Sequence, residues 1–142
     1  MQVPRSSQTQ WDTNVNTCFA CLAFPEVESM QDYPEVIRVF PEADIAFKGV
    51  RAWILQSEKH QLVFFEMEPS ASVPEHSHGY AQWGMVIEGK MELVIDGKTR
   101  ICQKGDEYVI PAQAKHYAKF LSKTRVMDLF SEKNRYKPKT TN

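Results

Sequence analysis

The chain has 142 residues, 42% of them hydrophobic and 25% charged, with a formal net charge of −1. That length suits one domain with a real core. The near-neutral balance argues against a dedicated nucleic-acid binder, and no apolar run reaches the ~18 residues that suggest a membrane span. The polar start, MQVPRSSQTQ, lacks the apolar stretch of a secretory signal, so the expected compartment is the cytoplasm.

Residues 1–34 read as an N-terminal extension, polar to residue 17, with one short helix expected within 25–34 (EVESMQD between two prolines). Cys18 and Cys21 have CxxC spacing. A zinc ribbon needs a second such pair and a redox motif needs a βαβ setting; neither is present, and apolar packing beside Phe19 and Leu22 is the simpler reading. With Cys102 the cysteine count is odd, which fits reduced thiols.

From residue 35 the pattern is β. Glu35–Phe40 reads as a strand stopped by Pro41. Val50–Gln56 and Gln61–Glu68 are β-branched and aromatic, and the polar turn SEKH separates them. Residues 69–75 read as a Pro/Ser loop. Ala81–Ile87 and Lys90–Ile95 flank Glu88-Gly89, and Met91, Leu93 and Ile95 share a face by alternation. Asp96-Gly97 is a two-residue hairpin signal leading to Lys98–Cys102. Glu107–Ile110, His116–Phe120 and Arg125–Ser131 follow. Many short strands with regular turn signals predict an all-β sandwich or barrel over 35–135.

Residues 136–142 read as a flexible basic tail. From residue 113 onward there are eight Lys/Arg against two Asp/Glu, a net of +6 that leaves −7 for the rest. Such a run reads either as a solvated end or as an anion-attracting rim near a site.

His76 and His78 point to one side of an extended chain, and Gln82 has the same parity. His116 begins a later strand. If adjacent barrel strands bring His116 opposite the pair, three imidazoles and one amide oxygen form a divalent-metal site with open positions. His60, in the polar SEKHQ turn, reads as an exposed loop residue.

These residues resemble the two motifs of the cupin superfamily. The first runs Gly, five residues, His-x-His, three or four residues, Glu, six residues, Gly; here it reads Ser70, His76, His78, Gln82, Gly89. The second runs Gly, five residues, Pro-x-Gly, two residues, His, three residues, Asn; here it reads Gly105, Pro111, Gln113, His116, Phe120. The resemblance spans about residues 46–131. It implies a cupin-type double-stranded β-helix, a jelly-roll barrel, holding one divalent metal (Zn, Ni, Mn or Fe) on His76, His78, His116 and, in place of the usual Glu, Gln82. It also implies a homodimer joined through sheet faces and N-terminal strands such as residues 35–56. Trp83, of opposite parity to Gln82, is expected to pack outward.

A neutral Gln82 leaves the ion its full charge, making a stronger Lewis acid and giving a ferric state less support. That favours isomerase or lyase chemistry on a small carboxylated or sugar-like molecule. An iron-dependent dioxygenase and a non-catalytic small-ligand binder are the alternatives. Within the superfamily, enzymes that ketonise unsaturated uronates are similar in pairing three His with Gln and in carrying Asp-x-Phe on the last strand and an Arg soon after. The resemblance implies catalytic roles for Asp128 and Arg135 and a substrate contact for Phe130. Arg135 comes one position later, and Gln82 one residue sooner after the second His, than in those enzymes.

Overall fold

One four-residue helix and nine strands make up the computed structural model, which describes residues 32–140. The Cys18–Cys21 pair, the helix expected within 25–34 and nearly all of the extension lie outside the described residues. The strands are β1 (Val50–Gln56), β2 (Gln61–Met67), β3 (Ser72–His76), β4 (Gln82–Glu88), β5 (Lys90–Ile95), β6 (Lys98–Gln103), β7 (Glu107–Ile110), β8 (His116–Phe120) and β9 (Thr124–Phe130). They form two antiparallel sheets, in the orders β1-β2-β9-β4-β7 and β3-β8-β5-β6. This is the all-β jelly roll expected from the sequence.

The core lies between the sheets. Val63, Val86 and Val126 face inward from β2, β4 and β9; Met91, Leu93 and Cys102 face them from β5 and β6. The Asp96-Gly97 turn has φ values of 47° and 75°, the left-handed pair that a two-residue hairpin requires.

Glu35–Phe40 is not a strand. Glu35–Arg38 forms α1, begun by Pro34 at φ −64°, with an acidic first residue and a basic last one. Val36 and Val39 suggested β structure, yet both are mostly exposed. What decides the conformation is the spacing of Tyr33, Ile37 and Phe40, a helical period. It lets all three side chains pack on Trp53 and Phe64 over the outer face of β1 and β2. The Tyr33 hydroxyl also donates to the Val126 carbonyl at 2.8 Å.

Residues 69–75 are not wholly loop. β3 pairs with β8 at Val73↔Ala118 and again at His76↔His116, so one extra residue bulges between them. Pro74 sits in that bulge on an edge strand, where its missing N–H costs no ladder bond. Two motif glycines are replaced here, by Ser70 and Gln113, and both replacements keep left-handed backbone, with φ of 73° and 67°.

The described part of the C-terminal segment is packed. Pro138 bridges Ala43, the Lys139 amide donates to the Glu42 carbonyl at 2.8 Å, and Lys139 Nζ pairs with Glu42 Oε1 at 2.6 Å. The Tyr136 ring lies edge-on to Phe65 and Phe130. Among the described residues no helix is long and apolar enough to cross a membrane.

Candidate metal centre

His76 ends β3 and His116 begins β8, and the two are direct cross-strand partners. His78 lies two residues beyond β3. One ring nitrogen from each of the three lies within 4.8 Å of the others. Their orientation comes from the backbone. Nδ1 of His76 is 2.9 Å from the Pro74 carbonyl, Nδ1 of His116 is 2.9 Å from the Ala114 carbonyl, and Nδ1 of His78 is 2.7 Å from the Tyr80 carbonyl. A carbonyl only accepts, so each Nδ1 carries the proton and each Nε2 presents a lone pair. Burial holds the imidazoles of His76 and His116 below the ordinary histidine range, which keeps them neutral as a metal requires. Tyr80 stacks on His78, with ring centroids 4.4 Å apart.

Gln82 opens β4 and points inward with Gly84 and Val86. Its Oε1 lies 3.2 Å from His78 Nε2. With Nδ1 protonated, these are two lone pairs facing one another, an arrangement that a cation between them satisfies. The donor set of three imidazoles and an amide oxygen therefore fits a divalent first-row metal.

Behind Gln82 lies Asp128, fully buried on β9. Its Oδ1 accepts a hydrogen bond from the Tyr108 hydroxyl at 2.6 Å. Burial pushes the Asp128 carboxyl up to about 7, while Tyr108, Gln82 and the charge of Arg135 pull the other way. The Tyr108 hydroxyl is raised well above 10, first by burial and then by Asp128 itself, so it stays protonated.

Asp128, Phe130, Arg135 and Tyr136 line a cavity of about 60 Å³ together with His76, Gln82 and His116. Its size admits a few waters or a small ligand group. The Arg135 guanidinium stands 4.8 Å from the Tyr136 ring centroid and 5.9 Å from that of Phe130. Its Nε is buried with no hydrogen-bond partner among the described residues. A half-buried guanidinium with its Nε unpartnered can receive a planar anion such as carboxylate. The segment carrying it is held by Gln61, 1% exposed. Gln61 Nε2 donates to the carbonyls of Tyr136 (3.0 Å) and Lys133 (3.4 Å), and its Oε1 accepts from the Tyr136 amide at 2.9 Å.

The structure thus brings together His76, His78, Gln82, His116, Asp128, Phe130 and Arg135. Parity does not explain Gln82, because residues 77–81 carry the chain from one sheet to the other. The site draws on both sheets. His60 is exposed, and Trp83 lies on the outer side of β4, its Nε1 donating to Glu107 Oε2 at 3.3 Å. Sequence reasoning missed Tyr108 and Gln61. The signal was there: Tyr108 is in phase with Ile110, and Gln61 with Val63 and Phe65, so both are polar groups on inward phases.

Residues 63–130 match the family described as Cupin domain. Among solved structures, KdgF from Halomonas sp. is 26% identical, with a TM-score of 0.60 over 66% of this chain and 86% of that one. An RmlC-like cupin from Shewanella frigidimarina is 22% identical, with a TM-score of 0.63 over 73% and 90%. A protein from Thermotoga maritima described as a predicted oxalate decarboxylase is 18% identical, with a TM-score of 0.60 over 66% and 94%. The last two likenesses speak to the fold alone. The sequence finds no match among curated proteins.

Proposed function

The chain belongs to the cupin superfamily, and from that premise we propose that it is a metal-dependent enzyme acting on a small carboxylated, sugar-like molecule by proton transfer, in the manner of an isomerase or lyase. One observation carries the reading. All three imidazoles have Nδ1 bound to a backbone carbonyl, so their Nε2 lone pairs are left for one ion beside the Gln82 oxygen.

A divalent ion held by His76, His78, His116 and Gln82 supplies Lewis-acid polarisation of a substrate oxygen when bound. Arg135 pairs through its guanidinium with the substrate carboxylate, and Phe130 and Tyr136 wall the cavity beside it. The Asp128 carboxyl takes up or returns a proton on the substrate side of the cavity, and a proton affinity poised near neutral suits that work. Unsaturated uronates combine a carboxylate, ring hydroxyls and a protonatable double bond. The Gln82, Asp128-x-Phe130 and Arg135 pattern supports them as the substrate class.

The test is metal analysis of the purified protein beside His76→Ala, followed by turnover of an unsaturated uronate under argon and in air, read as loss of the double-bond resonance by NMR. Metal in the wild type but not in the variant, with equal turnover in both atmospheres, is expected. A strict need for O₂ would transfer the protein to the iron-dioxygenase class. Metal-free protein that still binds the uronate would make it a non-catalytic binder.

A further inference from the structure

The outer face of the five-stranded sheet carries one row of apolar side chains that crosses every strand. Leu55 on β1 pairs in register with Leu62 on β2, Leu62 with Leu129 on β9, Leu129 with Trp83 on β4, and Trp83 with Val109 on β7. Their chain neighbours Ile54, Val63, Phe130 and Ile110 belong to the core, so by alternation the row points away from it. Leu55, Leu129 and Val109 are 44%, 38% and 60% exposed. A single exposed leucine is ordinary on a protein surface, but a contiguous apolar row marks a face that something covers.

The neighbouring row on the same face is partly covered by the chain itself. Trp53, Phe64, Met127 and Met85 follow one another in register, and Tyr33, Ile37 and Phe40 pack with Trp53 and Phe64. The residues leading into α1 therefore already lie on this face. They arrive beside the start of β9, where Arg125 donates to the Asp32 carbonyl at 2.9 Å and Lys123 pairs with the Asp32 carboxylate. Upstream, residues 18–24 read CFACLAF, seven apolar residues in succession.

Size and reach select the occupant. Five strands about 4.8 Å apart make a row about 20 Å long. With Met127 and Met85 the open area is on the order of 300 Å², well under the ~800 Å² per partner of a stable dimer but matched to one short segment. Arg125 and Leu129 are four residues apart along β9, about 13 Å. Residues 25–31 span up to about 23 Å, so a chain held at Asp32 can bring residue 24 onto the row.

We propose that residues 18–24 dock on the outer face of the same chain, over Leu55, Leu62, Leu129, Trp83 and Val109, with Asp32 and Tyr33 as the tether. Docking removes from water both the row and the side chains of Phe19, Leu22 and Phe24. Cys18 and Cys21 are covered with them, as small apolar side chains. The covered face is the reverse of the strand ends that build the cavity, since Leu129 lies between Asp128 and Phe130 and Trp83 follows Gln82. Nothing in this docking depends on a metal.

The test follows the reaction of the full-length protein with dithionitrobenzoate, the labelled peptides being separated by mass spectrometry. Cys18 and Cys21 should react more than about tenfold slower than in urea-unfolded protein, at a rate independent of protein concentration. Leu129→Asp and Val109→Asp, both at exposed positions, should speed their reaction by about tenfold or more while buried Cys102 stays protected. Phe19→Asp combined with Leu22→Asp leaves the barrel sequence unaltered and should raise iodide quenching of Trp83, with Trp83→Phe as the reference. Circular dichroism checks the fold, and if the sheet variants do not fold, the quenching experiment decides. Wild-type Cys18 and Cys21 that react as in unfolded protein overturn the proposal. So does protection that neither sheet variant changes, or quenching that the double variant leaves as it was. Protection that grows with protein concentration, alongside a dimer in analytical ultracentrifugation, overturns it as well and gives the face to a second copy of the chain.

Discussion

His76 and His116 face one another directly across β3 and β8, with ring centroids 4.1 Å apart. Two imidazoles so close, each with Nε2 unprotonated, repel weakly unless a cation lies between their lone pairs. Metal binding is thus coupled to the pairing of an edge strand with its neighbour. A divalent ion at a hundredfold its Kd should add about 2.7 kcal/mol to stability, on the order of 10 °C in Tm for a domain of this size. Calorimetry with and without chelator checks this, and His116→Ala should abolish the difference.

Asp128 gives the metal-free protein a pH signature. Its carboxyl holds a proton up to about 7 in the fold but has an ordinary value of 3.8. Between those values the folded state binds more protons than the unfolded one, so this group makes stability fall as pH rises, levelling above about 7. The groups facing it are the Tyr108 hydroxyl, which stays neutral, the Gln82 amide and the Arg135 charge. Asp128→Asn removes the slope. Its Tm relative to wild type should improve from pH 5 to pH 8 in chelator, and a constant difference would contradict the assignment.

Gln61 fixes the segment that brings Arg135 to the cavity. Gln61→Leu leaves the Tyr136 amide and carbonyl unpaired in a buried place, a cost of about 2–4 kcal/mol. The variant should also bind a carboxylated ligand more weakly while retaining metal affinity. Arg135→Ala should show the same loss for carboxylates without the stability cost. Denaturant melts and uronate titrations separate the two.

Ser70 and Gln113 sit in left-handed backbone that costs a side-chain-bearing residue about 1–2 kcal/mol. Glycine relieves that strain but loses about 0.4–1 kcal/mol to a more flexible unfolded chain. Ser70→Gly and Gln113→Gly should each stabilise by about 0.5–1 kcal/mol. The Gln113 amide donates to the His78 carbonyl at 2.8 Å, and glycine preserves that bond. Urea midpoints for the single and double variants check the values.

The strands were legible wherever alternation or a turn dictated them. Val50–Gln56, Lys90–Ile95, Glu107–Ile110 and His116–Phe120 end where the sequence puts them, and Asp96-Gly97 makes its hairpin. Errors arose where a tertiary partner outweighed local preference. β-branched Val36 and Val39 suggested a strand, but Ile37 and Phe40 gain a surface to bury against only as a helix. Pro74 suggested a loop, but an edge strand with a bulge accommodates it. In the site, the histidines were legible by spacing. Tyr108 and Gln61 were not, because their importance lies in which distant atoms they reach.

Each imidazole takes its orientation from a carbonyl two residues away in its own chain: Pro74 for His76, Tyr80 for His78 and Ala114 for His116. The aim of the three rings is therefore written into short peptide segments and not into the side chains that wall the cavity. Exchanging Phe130 or Tyr136 alters what the cavity holds without turning a ring. Such a centre can change its substrate over evolutionary time while its grip on the ion stays constant.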